Sequence, residues 1–237
     1  MNEETIKEIA WGKFLNAGQT CIAPDSVYVP RKYYREFLQQ MKAQITSFYG
    51  KQPMDSPDYG RIVHQDHLEK LLGYLDGGTI YKGGQYSIEE NYLSPTLMID
   101  IPKDHPLHQE EIFGPILPVI PYDSLDEVIE QYKRLPVPLV VYLFSEDTNK
   151  IEKIERTLES GALSVNHVLV HLTNPEVPFG GKGKSGFGNY HGKASFDTFT
   201  YQRAHYQKKM PFKQSEKYPP YSNLGLKVLR KFRRKIF

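Results

Sequence analysis

The sequence predicts an α/β protein in which a mainly parallel sheet carries helices on both faces and an extended strand follows near the C-terminus. Three observations predict it. Short apolar runs rich in β-favouring residues occur at 26–30, 96–100, 117–122 and 139–144, and stretches with apolar residues at helical spacing separate them. That alternation is what strand–helix–strand units produce, and their parallel strands are covered on both faces. The length, 237 residues, is enough for one good-sized core with an arm.

The elements follow in order. Ile6, Ile9, Ala10, Phe14 and Ala17 share a stripe, interrupted only by Lys13, so the opening segment is an amphipathic helix. Asn2 caps its start and Asn16-Ala17-Gly18 stops it, which places Cys21 in a turn just beyond a helix. Alternation over 26–30 gives a strand, and Tyr34, Phe37, Leu38, Met41 and Ile45 give the helix of 31–48. A loop rich in proline and aspartate spans 52–58, a helix spans 67–76, and Gly77-Gly78 ends it ahead of a pair of strands. Helices at 124–133 and 147–160 flank the strand of 139–144. From Phe179 to Gly188 glycine is too frequent for a core segment, so the run serves backbone shape. Residues 195–201 alternate Phe196, Thr198, Thr200 against Asp197, Phe199, Tyr201 and read as a strand in need of a partner.

Composition excludes several classes. Hydrophobic residues at 39% and charged residues at 24% describe a folded chain rather than a disordered one. No apolar run approaches the roughly 20 residues of a membrane span, and the opening Met1-Asn2-Glu3-Glu4 has no signal-peptide profile, so a cytoplasmic protein is expected. One cysteine, Cys21, rules out an internal disulfide framework. The net charge of +2 hides an asymmetry: residues 203–237 hold eleven Lys or Arg and one acid, net +10, which leaves −8 for residues 1–202. In that tail Val228, Leu229, Phe232 and Ile236 form one helical stripe among cations, a pattern that suits an anionic membrane surface and equally a helix docked on a subunit. Its charge stands without any recognition motif, so nucleic acid is not an expected partner. The eight histidines fit no metal spacing; Asn166, His167 and His171 bracket a strand end without forming a ligand set.

Three motifs carry chemistry. In Asn16-Ala17-Gly18-Gln19-Thr20-Cys21 a turn can expose a thiol while presenting backbone N–H groups, although read bare a buried, inert cysteine is the favoured reading. Gln109-Glu110-Glu111-Ile112-Phe113-Gly114-Pro115 is, read bare, a loop entering a strand. The glycine-rich run lacks the P-loop spacing around Lys182 and Lys184, which argues against a phosphate cradle.

Together these segments resemble the aldehyde dehydrogenase family. The first is similar to its G-Q-x-C motif, with Trp11-Gly12-Lys13 and Ile22-Ala23-Pro24-Asp25 resembling the class 3 branch; the second is similar to E-x-F-G-P; the third, with Tyr190-His191-Gly192-Lys193 and Ser195-Phe196-Asp197, is similar to the family's P-F-G-G-x-G-x-S-G-x-G motif and its class 3 continuation. The resemblance implies that Cys21 is the nucleophile, that Glu111 binds the nicotinamide ribose of NAD or NADP, and that Phe113 flanks the nicotinamide. It implies that His67 lies near the cofactor and leaves His191 between a structural and a catalytic role. It further implies a catalytic domain over 1–190, an oligomerisation arm over 191–210 that pairs as a strand in a homodimer, and a basic tail over 211–237. The family's Rossmann-type cofactor domain, oxyanion-hole asparagine and general-base glutamate match no position here, so negligible activity of the isolated chain is expected. A non-catalytic remnant that pairs with intact subunits, and a thiol hydrolase, are the competing expectations.

Overall fold

In the computed structural model, which describes residues 2–207 and positions 219, 223, 227, 230 and 231, Asn2 caps the first helix by accepting the Glu4 amide on its side chain. That helix, α1 (Glu3–Phe14), gives way to a tight turn, Leu15–Gly18. Strand β1 (Val27–Pro30) follows, and the proline at its end leads through one 3₁₀ turn into α2 (Tyr34–Tyr49). Helix α3 (Gln65–Gly73) begins at His64, whose Nδ1 accepts the His67 amide.

Strand β2 (Thr79–Lys82), the short hairpin β3 (Tyr86–Ser87) and β4 (Tyr92–Leu93), β5 (Thr96–Ile99) and β6 (Ile116–Tyr122) complete the main sheet region. The four-stranded sheet has the order β1-β6-β5-β2; β6 is parallel to both β1 and β5, with Val27 opposite Val119 and Thr96 opposite Ile116, while β2 runs antiparallel at the edge. Helix α4 (Leu125–Tyr132), β7 (Val140–Leu143), α5 (Thr148–Thr157) and β8 (Ala162–Val165) form a second unit of the same kind, in which β7 and β8 pair in parallel. The expected α/β fold with mainly parallel strands is therefore observed, and β8 ends at Val165, just before the Asn166 that the sequence places at a strand end.

Apolar side chains from α1, α2, α3 and the main sheet meet in one core that includes Phe14, Phe37, Met41, Leu68, Leu97 and Leu117. A smaller cluster of Ile22, Val168, Leu169 and Phe179 packs with partly buried Tyr142 and Leu172, immediately beside the cysteine-bearing turn. Among the described residues no helix is long and apolar enough to cross a membrane.

The strand expected at residues 195–201 is corrected: Gly192–Phe199 is a helix, α6. An unpaired strand leaves a row of N–H and C=O groups without partners, whereas a helix satisfies them within the segment. Local contacts favour the helix too, because Lys193 and Asp197 pair one turn apart and the Thr200 hydroxyl donates to the Phe196 carbonyl. The chain divides into two compact units, Met1–Thr200 and Tyr201–Phe237. In the second, Asn223, Lys227, Arg230 and Lys231 are helical and exposed; the apolar stripe of the tail lies outside the described residues.

Candidate active site

Cys21 is exposed, in the turn that follows α1. The backbone leading to it is unusual, since Asn16 and Ala17 both adopt φ 52°, a left-handed conformation that a side chain makes costly. The turn is closed on itself: the Gln19 amide donates to the Asn16 carbonyl at 3.1 Å, and Asn16 Nδ2 donates back to the Gln19 carbonyl at 3.0 Å.

Three other segments fix this turn. Gln19 Nε2 donates to the Arg61 carbonyl at 2.9 Å while its Oε1 accepts the Val63 amide at 2.9 Å. Beyond Cys21, the Ile22 carbonyl accepts from Tyr142 Oη at 2.8 Å, and the same hydroxyl accepts the Leu169 amide at 3.2 Å. The third contact is with the loop ahead of β6, where Asp25 Oδ1 accepts the Ile112 amide at 3.2 Å. The loop that carries Glu111 and Phe113 is thereby joined to the segment that carries Cys21. Burial raises the Asp25 carboxyl, with Lys13 and the Ile112 amide opposing the shift.

Glu111 and Phe113 both face outward from that loop. Although the Glu111 side chain is exposed, partial desolvation is still the largest influence on it and raises its pKa, Asp25 adds to the rise, and Lys70 and Lys13 oppose it. Phe113 has φ 50° and is 36% exposed, a display that the core does not require. His67 holds it there by donating Nε2–H to the Phe113 carbonyl at 2.8 Å, with the two rings 6.3 Å apart. The His67 side chain thus meets the backbone of the loop. Next to the outward pair, Glu110 accepts from Tyr74 Oη and Lys70 Nζ, and these bonds hold its carboxyl below the usual range.

Lys13 is the residue that pattern reading passed over. It interrupts the apolar stripe of α1, is 0% exposed, and its Nζ has no hydrogen-bond partner among the described residues. Burial lowers its pKa to about 8, against the opposing pull of Asp25 and Glu111. The signal available in the sequence was its position on the buried face, two turns before Cys21.

The glycine-rich run folds back on itself, as its composition predicts. Phe179 and Tyr190 exchange backbone hydrogen bonds of 3.0 and 2.9 Å, and a Cβ on Gly181 would stand 2.0 Å from the Ser185 carbonyl oxygen. His191, at φ 82°, places Nδ1 3.0 Å from the Val177 carbonyl, so it holds this loop in shape. Among the described residues no group of three or more His, Cys, Asp or Glu converges as a metal site.

An exposed thiol on a strained turn, joined to a loop that displays a carboxylate and an aromatic ring, can form and orient a covalent adduct on sulfur beside a planar ligand. That arrangement places an accessible thiol on an α/β scaffold. The aldehyde dehydrogenase family model matches residues 2–205, and the chain belongs to that family. It is 42% identical over 202 residues to the 4,4'-diapolycopene-4,4'-dial dehydrogenase of Cytobacillus firmus, covering 85% of this chain and 45% of that one. It is 42% identical over 229 residues to aldehyde dehydrogenase family 3 member B1 of Rattus norvegicus, covering 96% and 49%. A structure of the substrate-bound state of Staphylococcus aureus AldH superposes with a TM-score of 0.88 at 40% identity, covering 97% of this chain and 50% of that one. The chain spans about half the length of the relatives it matches.

Proposed function

We propose that this chain is the cysteine-bearing portion of an NAD(P)+-dependent aldehyde dehydrogenase that oxidises aldehydes to carboxylic acids through a thiohemiacetal and a thioester on Cys21. The observation that carries the reading is the exposed Cys21 thiol at the end of a strained turn, tied through Asp25 and Ile112 to the loop bearing Glu111 and Phe113. The Cys21 sulfur attacks the aldehyde carbon, an S–C bond forms, and the carbonyl oxygen becomes an alkoxide. Oxidation of that adduct leaves a thioester, which water hydrolyses to the acid and the free thiol. A bound nicotinamide supplies the two-electron acceptor.

The outward pair fits such a ligand. Glu111 offers carboxylate oxygens to ribose hydroxyls, and Phe113 offers a ring face held in place from behind by His67. Support for either nicotinamide comes from relatives: an aldehyde dehydrogenase of Mycobacterium tuberculosis, similar to this chain with a TM-score of 0.74, is complexed with NAD+, and a mouse relative at 38% identity is described as dimeric and NADP-preferring. Support for an aldehyde substrate comes from the 4,4'-diapolycopene-4,4'-dial named for the Cytobacillus relative.

On this reading the 237-residue chain alone turns over aldehyde negligibly, because removal of a single oxyanion donor already costs about 10²–10³ in rate. The test is NADH formation with a fatty aldehyde and NAD+, alone and after addition of the N-terminal half of a relative, beside Cys21→Ala. Cys21-dependent turnover on complementation supports the reading. Turnover that survives Cys21→Ala sinks it.

A second reading, a subunit-pairing module, is favoured by the aromatic face of α6, where Phe196 is 67% and Phe199 85% exposed. Sedimentation velocity of Phe196→Ser/Phe199→Ser against the parent tests it, since an unchanged mass distribution removes this face as the dimer contact. The cationic tail, net +10 over residues 203–237, supports a cytoplasmic protein attached peripherally to an anionic membrane. Co-sedimentation with anionic vesicles that persists without residues 224–237 would remove that part.

A further inference from the structure

Gln19 is half-buried and reaches 42 residues along the sequence to bond a segment that belongs to no helix or strand. Both poles of its amide are used there: Nε2 donates to the Arg61 carbonyl and Oε1 accepts the Val63 amide, while Nε2 also donates to the Asn16 carbonyl at 3.0 Å. A carbonyl at one position and an amide two positions later is what a strand edge presents to a neighbour, so the Gln19 side chain takes the place of a strand partner. Its bonds fall on the turn where Asn16 and Ala17 are held left-handed. Strain of that kind persists only where the surroundings over-determine it.

The segment that receives Gln19 is itself built for rigidity. Arg61 spends its guanidinium on its own loop, donating to the Met54 carbonyl at 2.8 Å and the Tyr59 carbonyl at 3.3 Å, and it stacks 5.2 Å from the centre of the Tyr92 ring. The Ile62 amide donates to the Asn91 carbonyl at 2.8 Å and Tyr59 Oη donates to the Leu93 carbonyl at 2.7 Å, which fastens the loop to the β3–β4 hairpin.

We infer that the loop of residues 52–63 is a clamp on the cysteine turn, with Gln19 and Arg61 as positioning residues that hold Cys21 in its reactive orientation. The inference rests on the reading of Cys21 as the reacting thiol. Gln19 touches the turn directly; Arg61 acts through the shape of the loop whose carbonyl and amide Gln19 reads. The clamp fits the amide of Gln19: an uncharged amide brings two donors and an acceptor, and here Nε2 donates twice while Oε1 accepts, whereas a hydroxyl has a single donor and a carboxylate none.

Because Cys21 is the chain's single cysteine, its alkylation by iodoacetamide is a clean readout in the 237-residue chain, with an S–C bond formed and iodide released. The folded parent is expected to react faster than the same chain in urea. Gln19→Ala should lower the folded rate on the order of tenfold, the effect of losing one or two net hydrogen bonds at the reacting geometry, and should strip the Val63 amide of its hydrogen-exchange protection. Gln19→Glu keeps an acceptor for Val63 and loses both donors, so Val63 stays protected and the rate falls between the other two. Arg61→Ala should reproduce the Gln19→Ala rate. Ile154→Ala, at the buried position of α5, lowers stability and leaves the Cys21 rate unchanged. Gln19 variants that alkylate at the parental rate, or an Ile154→Ala chain slowed as much as Gln19→Ala, overturn the clamp. A parent that reacts no faster folded than in urea overturns the thiol reading and the clamp with it. If Gln19→Ala does not fold, the intermediate rate and retained Val63 protection of Gln19→Glu decide the matter.

Discussion

A Cβ placed on Gly18 would stand 2.3 Å from the carbonyl oxygen of Gly114, so the cysteine turn and the Glu111–Phe113 loop meet backbone against backbone. Gly18 also has φ +74°, which a side chain resists even where space is available. Gly18→Ala combines both penalties at a contact made of main chain that cannot swing aside. It should cost at least about 2 kcal/mol and drive the two loops apart. Urea denaturation measures the first effect, and loss of hydrogen-exchange protection at the Ile112 amide reports the second.

Lys13 gives a pH dependence of stability with a definite sign. Its pKa is about 8 in the fold and 10.5 as the ordinary value, so between those two pH values the unfolded chain holds a proton that the folded chain has released. Stability relative to Lys13→Met therefore rises as pH rises through that window. Below it the methionine variant should be the more stable, by on the order of 1–3 kcal/mol, because burying the charge costs more than the pull of Asp25 and Glu111 returns. Urea midpoints of both chains near neutral pH and near about pH 9.5 check this; a difference that stays constant refutes it.

His171 lies between Tyr142 and Phe179, ring centres 6.0 Å away on each side, with neither ring nitrogen hydrogen-bonded among the described residues. Desolvation lowers its pKa below 6.5, so the neutral ring is the form that fits. The stabilisation is complete above 6.5 and declines as pH falls from there toward the folded pKa, because the unfolded chain takes up its proton first. His171→Phe keeps a ring in the stack and should flatten the fall in melting temperature between about pH 7 and about pH 5.5.

Two contacts of α6 separate by magnitude. The Lys193–Asp197 pair is solvent-exposed, so Asp197→Asn should change stability by no more than about 0.5 kcal/mol. Thr198 Oγ1 donates to the Asn189 carbonyl at 2.6 Å and accepts the Asn189 amide at 3.2 Å, which ties the helix to the glycine-rich loop. Thr198→Val removes both bonds at nearly constant volume and should cost about 1–2 kcal/mol. Thermal denaturation of the two variants side by side distinguishes them.

Elements with a strong local pattern were legible in advance: α1 with its Asn2 cap, α2 from the stripe Phe37, Leu38, Met41 and Ile45, and the apolar runs that became β5, β6 and β7. Cys21, Glu111 and Phe113 became candidates through the resemblance of their motifs to the aldehyde dehydrogenase family, since read bare they are a cysteine and a loop entering a strand. Residues 195–201 were misread because alternation describes a strand only when a neighbour supplies its hydrogen bonds, and no described neighbour does. Local sequence therefore determined the periodic elements, the glycines at tight approaches and the positions of the thiol, carboxylate and ring. Tertiary structure alone decided that Gln19 bonds residues 61–63, that Asp25 bonds Ile112, and that Lys13 is buried without a hydrogen-bond partner among the described residues. The reason is physical: a helix turn or a strand's alternation is set by near neighbours, whereas a hydrogen bond across 42 or 87 residues exists only once the chain has folded.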